Sequence, residues 1–103
     1  MHELPEKFMN FKGDFPEIFA AYENLGEKLH NSSKLDDKTR LLTKLAIAIG
    51  AGLEGAVHSH TRKALDGGCT KDEIRGVVLL SMTTIGFPSM MRAMTWVDDI
   101  LNS

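Results

Sequence analysis

The stretch that decides the fold of this chain is residues 36–49, DDKTRLLTKLAIAI. It opens with Asp36 and Asp37, whose charges suit the positive end of a helix dipole. Leucine, isoleucine and alanine follow at helical spacing, and after Lys44 nearly every position is apolar. A helix that is apolar on nearly every face is buried, so we expect this one to pack inside the fold or against another copy of the chain.

Four more helices are predicted, over about residues 15–30, 53–66, 71–85 and 88–101. Asp14 and Pro16 mark the start of the first of these helices. Thr70 and Glu73 form a capping box for the helix that begins at residue 71, and a glycine follows the helix that ends near residue 66. No segment alternates long enough to predict a strand. We therefore expect an all-α fold, with a single domain of about five helices over residues 14–103 and a loose lead-in over residues 1–13.

Composition narrows the function classes. The 103 residues carry 12 basic and 14 acidic side chains, for a net charge of −2, without blocks of like charge. This pattern argues against nucleic acid and membrane as partners, and no apolar run approaches the length of a transmembrane helix. Cys69 is the single cysteine, so the chain forms no internal disulfide and no dithiol pair. Together with the lack of a signal-peptide pattern, this predicts a cytoplasmic protein.

Two histidines lie on the predicted helix over residues 53–66. His58 and His60 are two positions apart, so on a regular helix they point about 200° away from each other and cannot bind one metal ion together. His60 shares its face with apolar residues and should point inward. His58 lies among charges, with Glu54 as a weak partner four residues away, and we interpret it as a surface residue.

His60 has two interpretations. A histidine on an apolar face is either a core residue with one satisfied hydrogen bond or an acid or base held in a pocket. The sequence does not choose between them.

Several short motifs, in order, resemble the carboxymuconolactone decarboxylase family, whose superfamily includes the alkylhydroperoxidase D-like proteins. The resemblance covers about residues 35–101 and implies an alkylhydroperoxidase D-like helical bundle. Its motifs here are Lys38-Thr39-Arg40, His60-Thr61, Ala64-Leu65, Gly68, Thr70, Asp72-Glu73-Ile74 and Gly86-Phe87-Pro88.

The redox-active branch of that family carries Cys-x-x-Cys-x-x-x-His. These three residues lie at i, i+3 and i+7, on one helical face, where the histidine can lower a thiol pKa. The histidine corresponds to His60, but the cysteine positions hold Leu53 and Ala56, and the acid position holds Leu41. Dithiol peroxidase chemistry is therefore the least favoured of the functions that the resemblance suggests.

The decarboxylase branch keeps a histidine at the position of His60 and acts on a small lactone carboxylate without a cofactor. The resemblance implies a similar lyase here, with His60 as acid or base and no metal or cofactor. A cation would hold the carboxylate, and among four arginines Arg40 and Arg92 are placed best, beside apolar positions. The alternative is a non-catalytic binding protein with a degenerate pocket. The resemblance implies a homo-oligomer, a trimer or hexamer, in both cases, whereas a small carboxylate ligand is expected of the lyase.

Overall fold

The computed structural model describes residues 5–103, which form seven α-helices and no strand. This confirms the all-α fold class, with two helices more than expected. Contacts divide the chain into two units, one ending at Lys34 and the other beginning at Leu35. The helices are α1 (Glu6–Asp14), α2 (Pro16–Ser32), α3 (Asp37–Ala51), α4 (Glu54–Asp66), α5 (Lys71–Leu80), α6 (Met82–Ile85) and α7 (Phe87–Leu101).

The first unit corrects the predicted lead-in. Residues 1–4 lie outside the described part of the chain, but α1 is helical and ends at Asp14, where the domain was predicted to begin. Aromatic contacts explain this helix: Phe8 packs edge-on against Phe19 with 5.3 Å between ring centroids. Asp14 does not cap α2 as predicted, because Phe15 occupies the N-cap position without a side-chain hydrogen bond.

The helix starts of the second unit follow the sequence closely. The Asp36 carboxylate accepts a hydrogen bond of 2.8 Å from the Thr39 N–H and caps α3. Thr70 and Glu73 form the predicted capping box of α5, with both reciprocal bonds present. Gly52 ends α3 with φ +70°, a left-handed conformation that favours glycine.

One predicted helix is broken in the structure. The segment from residue 71 was expected to continue to Ile85, but α5 ends at Leu80 and α6 forms a separate single turn. At the break, the Ser81 hydroxyl donates a 2.6 Å hydrogen bond to the Val78 carbonyl. Such bonds from serine to the preceding turn bend helices, which accounts for the interruption.

The core of the second unit lies among α3, α4, α5 and α7. Its centre consists of fully buried side chains, namely Leu45, Val57, Ile74, Val78 and Val97. Ile47 on α3 is 66% exposed, so the fold of the single chain does not cover every side of residues 36–49, and burial against another copy stays a prediction. Over residues 5–103, no helix is both long and apolar enough to cross a bilayer.

Candidate active site

His60 is half-buried and lines a small cavity between α3 and α4. The cavity has a volume of about 170 Å³ and mostly apolar walls. Its lining residues are Lys44, Ile47, Ala48, Ala51, Leu53, Ala56 and His60. Because side chains three or four residues apart share a helical face, one face of α3 and one face of α4 with its N-cap residue Leu53 supply this lining. Lys44 and His60 are its titratable groups.

The two positions where the resemblance implies thiols lie in this cavity. Leu53 and Ala56 line it together with His60, so the local geometry of the redox motif is present with apolar side chains in place of sulfur. Leu41 stands where the redox branch has its acidic residue, and it packs against Gly67 instead. The Leu41 Cδ1 occupies the space that a Cβ on Gly67 would need. The wall beside His60 is therefore hydrocarbon where the redox branch has its nucleophiles.

Lys44 is the cation of the cavity, and the sequence reasoning did not select it. Burial lowers the pKa of its ammonium, and the positive charges of Lys63 and Arg40 lower this pKa further. The sequence feature that could have identified Lys44 is that it is the one charged residue within the largely apolar run of residues 41–49. What the sequence could not supply was the packing of α3 on α4, which brings Lys44 and His60 to the same cavity.

The two predicted arginines lie near this cavity but do not line it. Arg40 is one turn before Lys44 on α3, and its Nη1 donates a 2.9 Å hydrogen bond to the Asp37 carboxylate. Arg92 on α7 stacks on the Trp96 ring at 5.2 Å from the centroid. Its Nη2 lies 3.2 Å from where a Cβ on Gly52 would be, beside two residues of the lining.

Cys69 offers no replacement for the missing thiols. Its side chain is buried between α4 and α5, at 4% exposure. Burial raises the pKa of the thiol, the Glu73 carboxylate raises it further, and Lys38 opposes this only in part. A thiol with a raised pKa and little access to solvent is a poor nucleophile.

His58 is more enclosed than predicted. Its side chain is 23% exposed, and its Nε2 lies 3.0 Å from the Asp99 Oδ2 on α7. The expected neighbour Glu54 is present too, but its Oε2 is 4.0 Å away. His58 is thus a contact between α4 and α7.

A larger cavity of about 420 Å³ lies between α3, α5 and α6. Hydroxyls of Thr39, Thr43, Ser81 and Thr84 are its polar groups, and its other lining residues are apolar or glycine. Its lining has no titratable side chain, so this cavity offers no group for general acid–base chemistry, whereas the smaller cavity offers Lys44 and His60.

Known proteins match this chain over most of its length. The sequence model of the carboxymuconolactone decarboxylase family matches residues 16–99. An uncharacterised protein of Methanocaldococcus jannaschii is 33% identical over 82 residues, covering 80% of this chain and 77% of that protein. The 4-carboxymuconolactone decarboxylase of Acinetobacter baylyi is 26% identical over 95 residues, covering 92% of this chain and 69% of the enzyme.

A solved structure supports the fold independently. The crystal structure of a carboxymuconolactone decarboxylase family protein from Legionella pneumophila, in its apo form, superposes with a TM-score of 0.77. The match covers 93% of this chain and 86% of that chain at 21% identity. At 21% sequence identity, this similarity supports a shared fold and nothing further.

Proposed function

Since the chain belongs to the carboxymuconolactone decarboxylase family, we propose that it is a cofactor-free lyase acting on a small lactone or a related carboxylate. His60 is the acid or base of this reaction. The observation that carries the proposal is the placement of His60 and Lys44 in one small, largely apolar cavity. A titratable ring beside a cation is what a reaction that moves a proton on an anionic substrate requires.

The substrate binds with its carboxylate toward Lys44 and its ring against the apolar wall. Arg40 and Lys63 add positive charge near this lysine, since both lower its pKa. Arg92, beside Gly52 at the end of α3, is the group placed to meet a second polar substituent at the rim. These charges favour an anion over a neutral ligand of the same shape.

The chemical step is a decarboxylation completed by proton transfer. The bond between the carboxylate and the lactone carbon breaks, carbon dioxide leaves, and the electron pair passes into the lactone. The His60 imidazolium gives a proton to the carbon that receives the pair, and solvent then restores that proton. A positioned acid of this kind contributes roughly 10²–10⁴-fold to the rate.

The test is turnover of 4-carboxymuconolactone, the substrate named for the Acinetobacter relative, followed by carbon dioxide release. We expect turnover by the wild type and a loss of at least about 100-fold in kcat for His60→Gln. His30→Gln, on α2 and outside the cavity lining, is the matched control and should keep full activity. Full activity in a folded His60→Gln variant would overturn the proposal.

A second candidate is a non-catalytic binding protein that works as a homo-oligomer, a trimer or hexamer. Two observations favour it: the apolar side chains at Leu53 and Ala56, and the exposed apolar residues of the second unit, where Leu80 is 76% and Ile47 is 66% exposed. This candidate places both side chains in the contact between subunits, because extended exposed apolar patches mark interaction surfaces.

Light scattering and ligand titration separate the two candidates. Both predict an oligomer at micromolar concentration, which Leu80→Glu should weaken because it places a charge at the contact. Binding of small carboxylates without any turnover across a panel of lactones would favour the binding protein. Hydroperoxide reduction is expected to be absent, because the Cys69 thiol is buried and its pKa is raised.

A further inference from the structure

We propose that Glu54, His58 and Asp99 form a binding site for a divalent metal ion of the zinc type. The site joins α4 to α7 on the other side of α4 from the His60 cavity. It is independent of the proposed lyase activity, so either proposal can fail without the other. The sequence predicted no metal site, because it showed two of these residues without the third.

Three potential ligand atoms converge at this point. The His58 Nε2, one Glu54 oxygen and one Asp99 oxygen all lie within 4.8 Å of one another. Glu54 and His58 are four residues apart on α4, the spacing that puts two ligands on one helical face. Asp99 comes from α7, so the third ligand depends on the packing of the two helices.

The distances suit a small cation after one modest adjustment. Zinc binds imidazole nitrogen and carboxylate oxygen at about 2.0–2.2 Å, which places tetrahedral ligand atoms about 3.3 Å apart. The His58 nitrogen is 3.0 Å from the Asp99 oxygen and 4.0 Å from the Glu54 oxygen. The Glu54 and Asp99 oxygens lie within 4.8 Å of each other, so the two carboxylates need to approach by at most about 1.5 Å, within the range of side-chain torsions.

Burial differs among the three ligands in a way that suits binding. The His58 side chain is 23% exposed, whereas Glu54 is 58% and Asp99 is 50% exposed. The imidazole is thus held by its surroundings, while both carboxylates can adjust to the ion. Their exposure also leaves room for water in the remaining coordination positions, as in zinc sites with three protein ligands.

The helices that carry the ligands are fixed by the core. Val57, next to His58, and Val97, two residues before Asp99, are both fully buried. A site on such a framework is preorganised, so metal binding loses little backbone conformational entropy. One nitrogen and two oxygen ligands favour zinc, cobalt or manganese over calcium, which prefers oxygen alone.

Without metal, the same three groups would be only a hydrogen-bonded contact between His58 and Asp99. The two interpretations differ in what zinc does. Zinc binds the lone pair of the His58 Nε2 in the tautomer that carries its proton on Nδ1, and coordination bonds to His58 and Asp99 replace their direct contact. A simple helix contact has no reason to respond to micromolar zinc.

The experiment is titration of the tag-free, full-length chain with Zn²⁺ by calorimetry, together with Co²⁺ absorption spectra. We expect one ion per chain with micromolar or tighter affinity, and a loss of at least about tenfold in His58→Ala. His60→Gln is the matched control, because it changes a histidine on the same helix that faces the other cavity, and it should leave the affinity unchanged.

Further variants keep the test valid if His58→Ala disturbs folding. Glu54→Gln and Asp99→Asn preserve size and hydrogen bonding, and each should also lower the affinity for Zn²⁺ by about tenfold or more. In the wild type, Zn²⁺ should shift the ring resonances of His58 and leave those of His60 in place. Absence of binding at millimolar Zn²⁺, or binding that survives all three substitutions, would overturn the proposal.

Discussion

Lys44 on α3 and His60 on α4 line the same cavity, although 16 positions separate them in the sequence. Burial and the charges of Lys63 and Arg40 lower the pKa of Lys44, so the folded chain holds this cation at a cost. A half-buried ammonium whose charged form is disfavoured by burial, in one cavity with a titratable ring, is an arrangement typical of functional sites.

Lys44→Met should therefore weaken ligand binding without weakening the fold. Removing the charge-assisted bond to a carboxylate costs about 1.5–3 kcal/mol, or at least about tenfold in affinity. Thermal unfolding at pH 7 should show no loss of stability, since the substitution also removes the burial penalty of a half-buried ammonium. Lys71→Met, on an exposed turn of α5, should leave affinity unchanged.

The pH dependence of stability checks the same lysine. Because its pKa in the folded chain is below the ordinary 10.5, the unfolded chain binds more protons between those two values. The contribution of Lys44 to stability therefore rises with pH across that window, and Lys44→Met should lack this rise. A parallel rise in both proteins would contradict the assignment.

A thiol placed in the cavity should be far more reactive than the native one. In Ala56→Cys with Cys69→Ser, the new sulfur lies in the lining with Lys44 and His60, where the positive charge of Lys44 stabilises a thiolate. Cys69 is buried and its thiol pKa is raised. We expect iodoacetamide to modify the new cysteine at least about tenfold faster at pH 7, since one pKa unit changes the thiolate fraction tenfold. Equal rates in the two folded proteins would show that the cavity does not activate a thiol.

Local features of this chain were predictable from sequence, and contacts between helices were not. The capping box at Thr70 and the shared face of Leu53, Ala56 and His60 depend on residues within seven positions, and both are confirmed. Lys44 joins His60 only because α3 packs on α4. Sequence periodicity shows which face of a helix is apolar but not which helix covers it.

The errors have the same physical origin. Helix α1 was missed because contacts such as that of Phe8 with Phe19 stabilise it, and such contacts leave no local pattern. Asp99 was missed as a partner of His58 because it lies 41 residues further along the chain. Tertiary contacts override weak local propensity in both cases.

The ion pair between Lys38 and Glu73 should make stability depend on acid pH. It joins α3 to α5 at 2.7 Å, and Lys38 together with the Thr70 N–H lowers the pKa of Glu73 below its ordinary value of 4.5. A carboxyl with a lowered pKa stabilises the fold above 4.5 and loses that contribution as pH falls through its folded value.

Glu73→Gln isolates this contribution, because glutamine can keep the capping bond while losing the charge. Urea midpoints of variant and wild type should differ at pH 7, converge as the pH falls to about 3, and draw closer in high salt. Glu27→Gln on α2 is the matched control without that ion pair. A difference independent of pH would mean that Glu73 acts through packing alone.

The contact between Leu41 and Gly67 predicts opposite effects for two glycine substitutions. A Cβ on Gly67 would meet the Leu41 Cδ1 and lie 3.2 Å from the Lys63 carbonyl oxygen, so Gly67→Ala should lower the free energy of unfolding by about 1–3 kcal/mol. Gly50, inside α3, has open space around its Cβ position, and Gly50→Ala should raise stability by about 0.5–1 kcal/mol. In the double variant Leu41→Ala with Gly67→Ala, the loss should be smaller than the sum of the two single losses, because the shortened side chain vacates the space. Strict additivity in urea unfolding would show that Leu41 does not hold the position that the structure gives it.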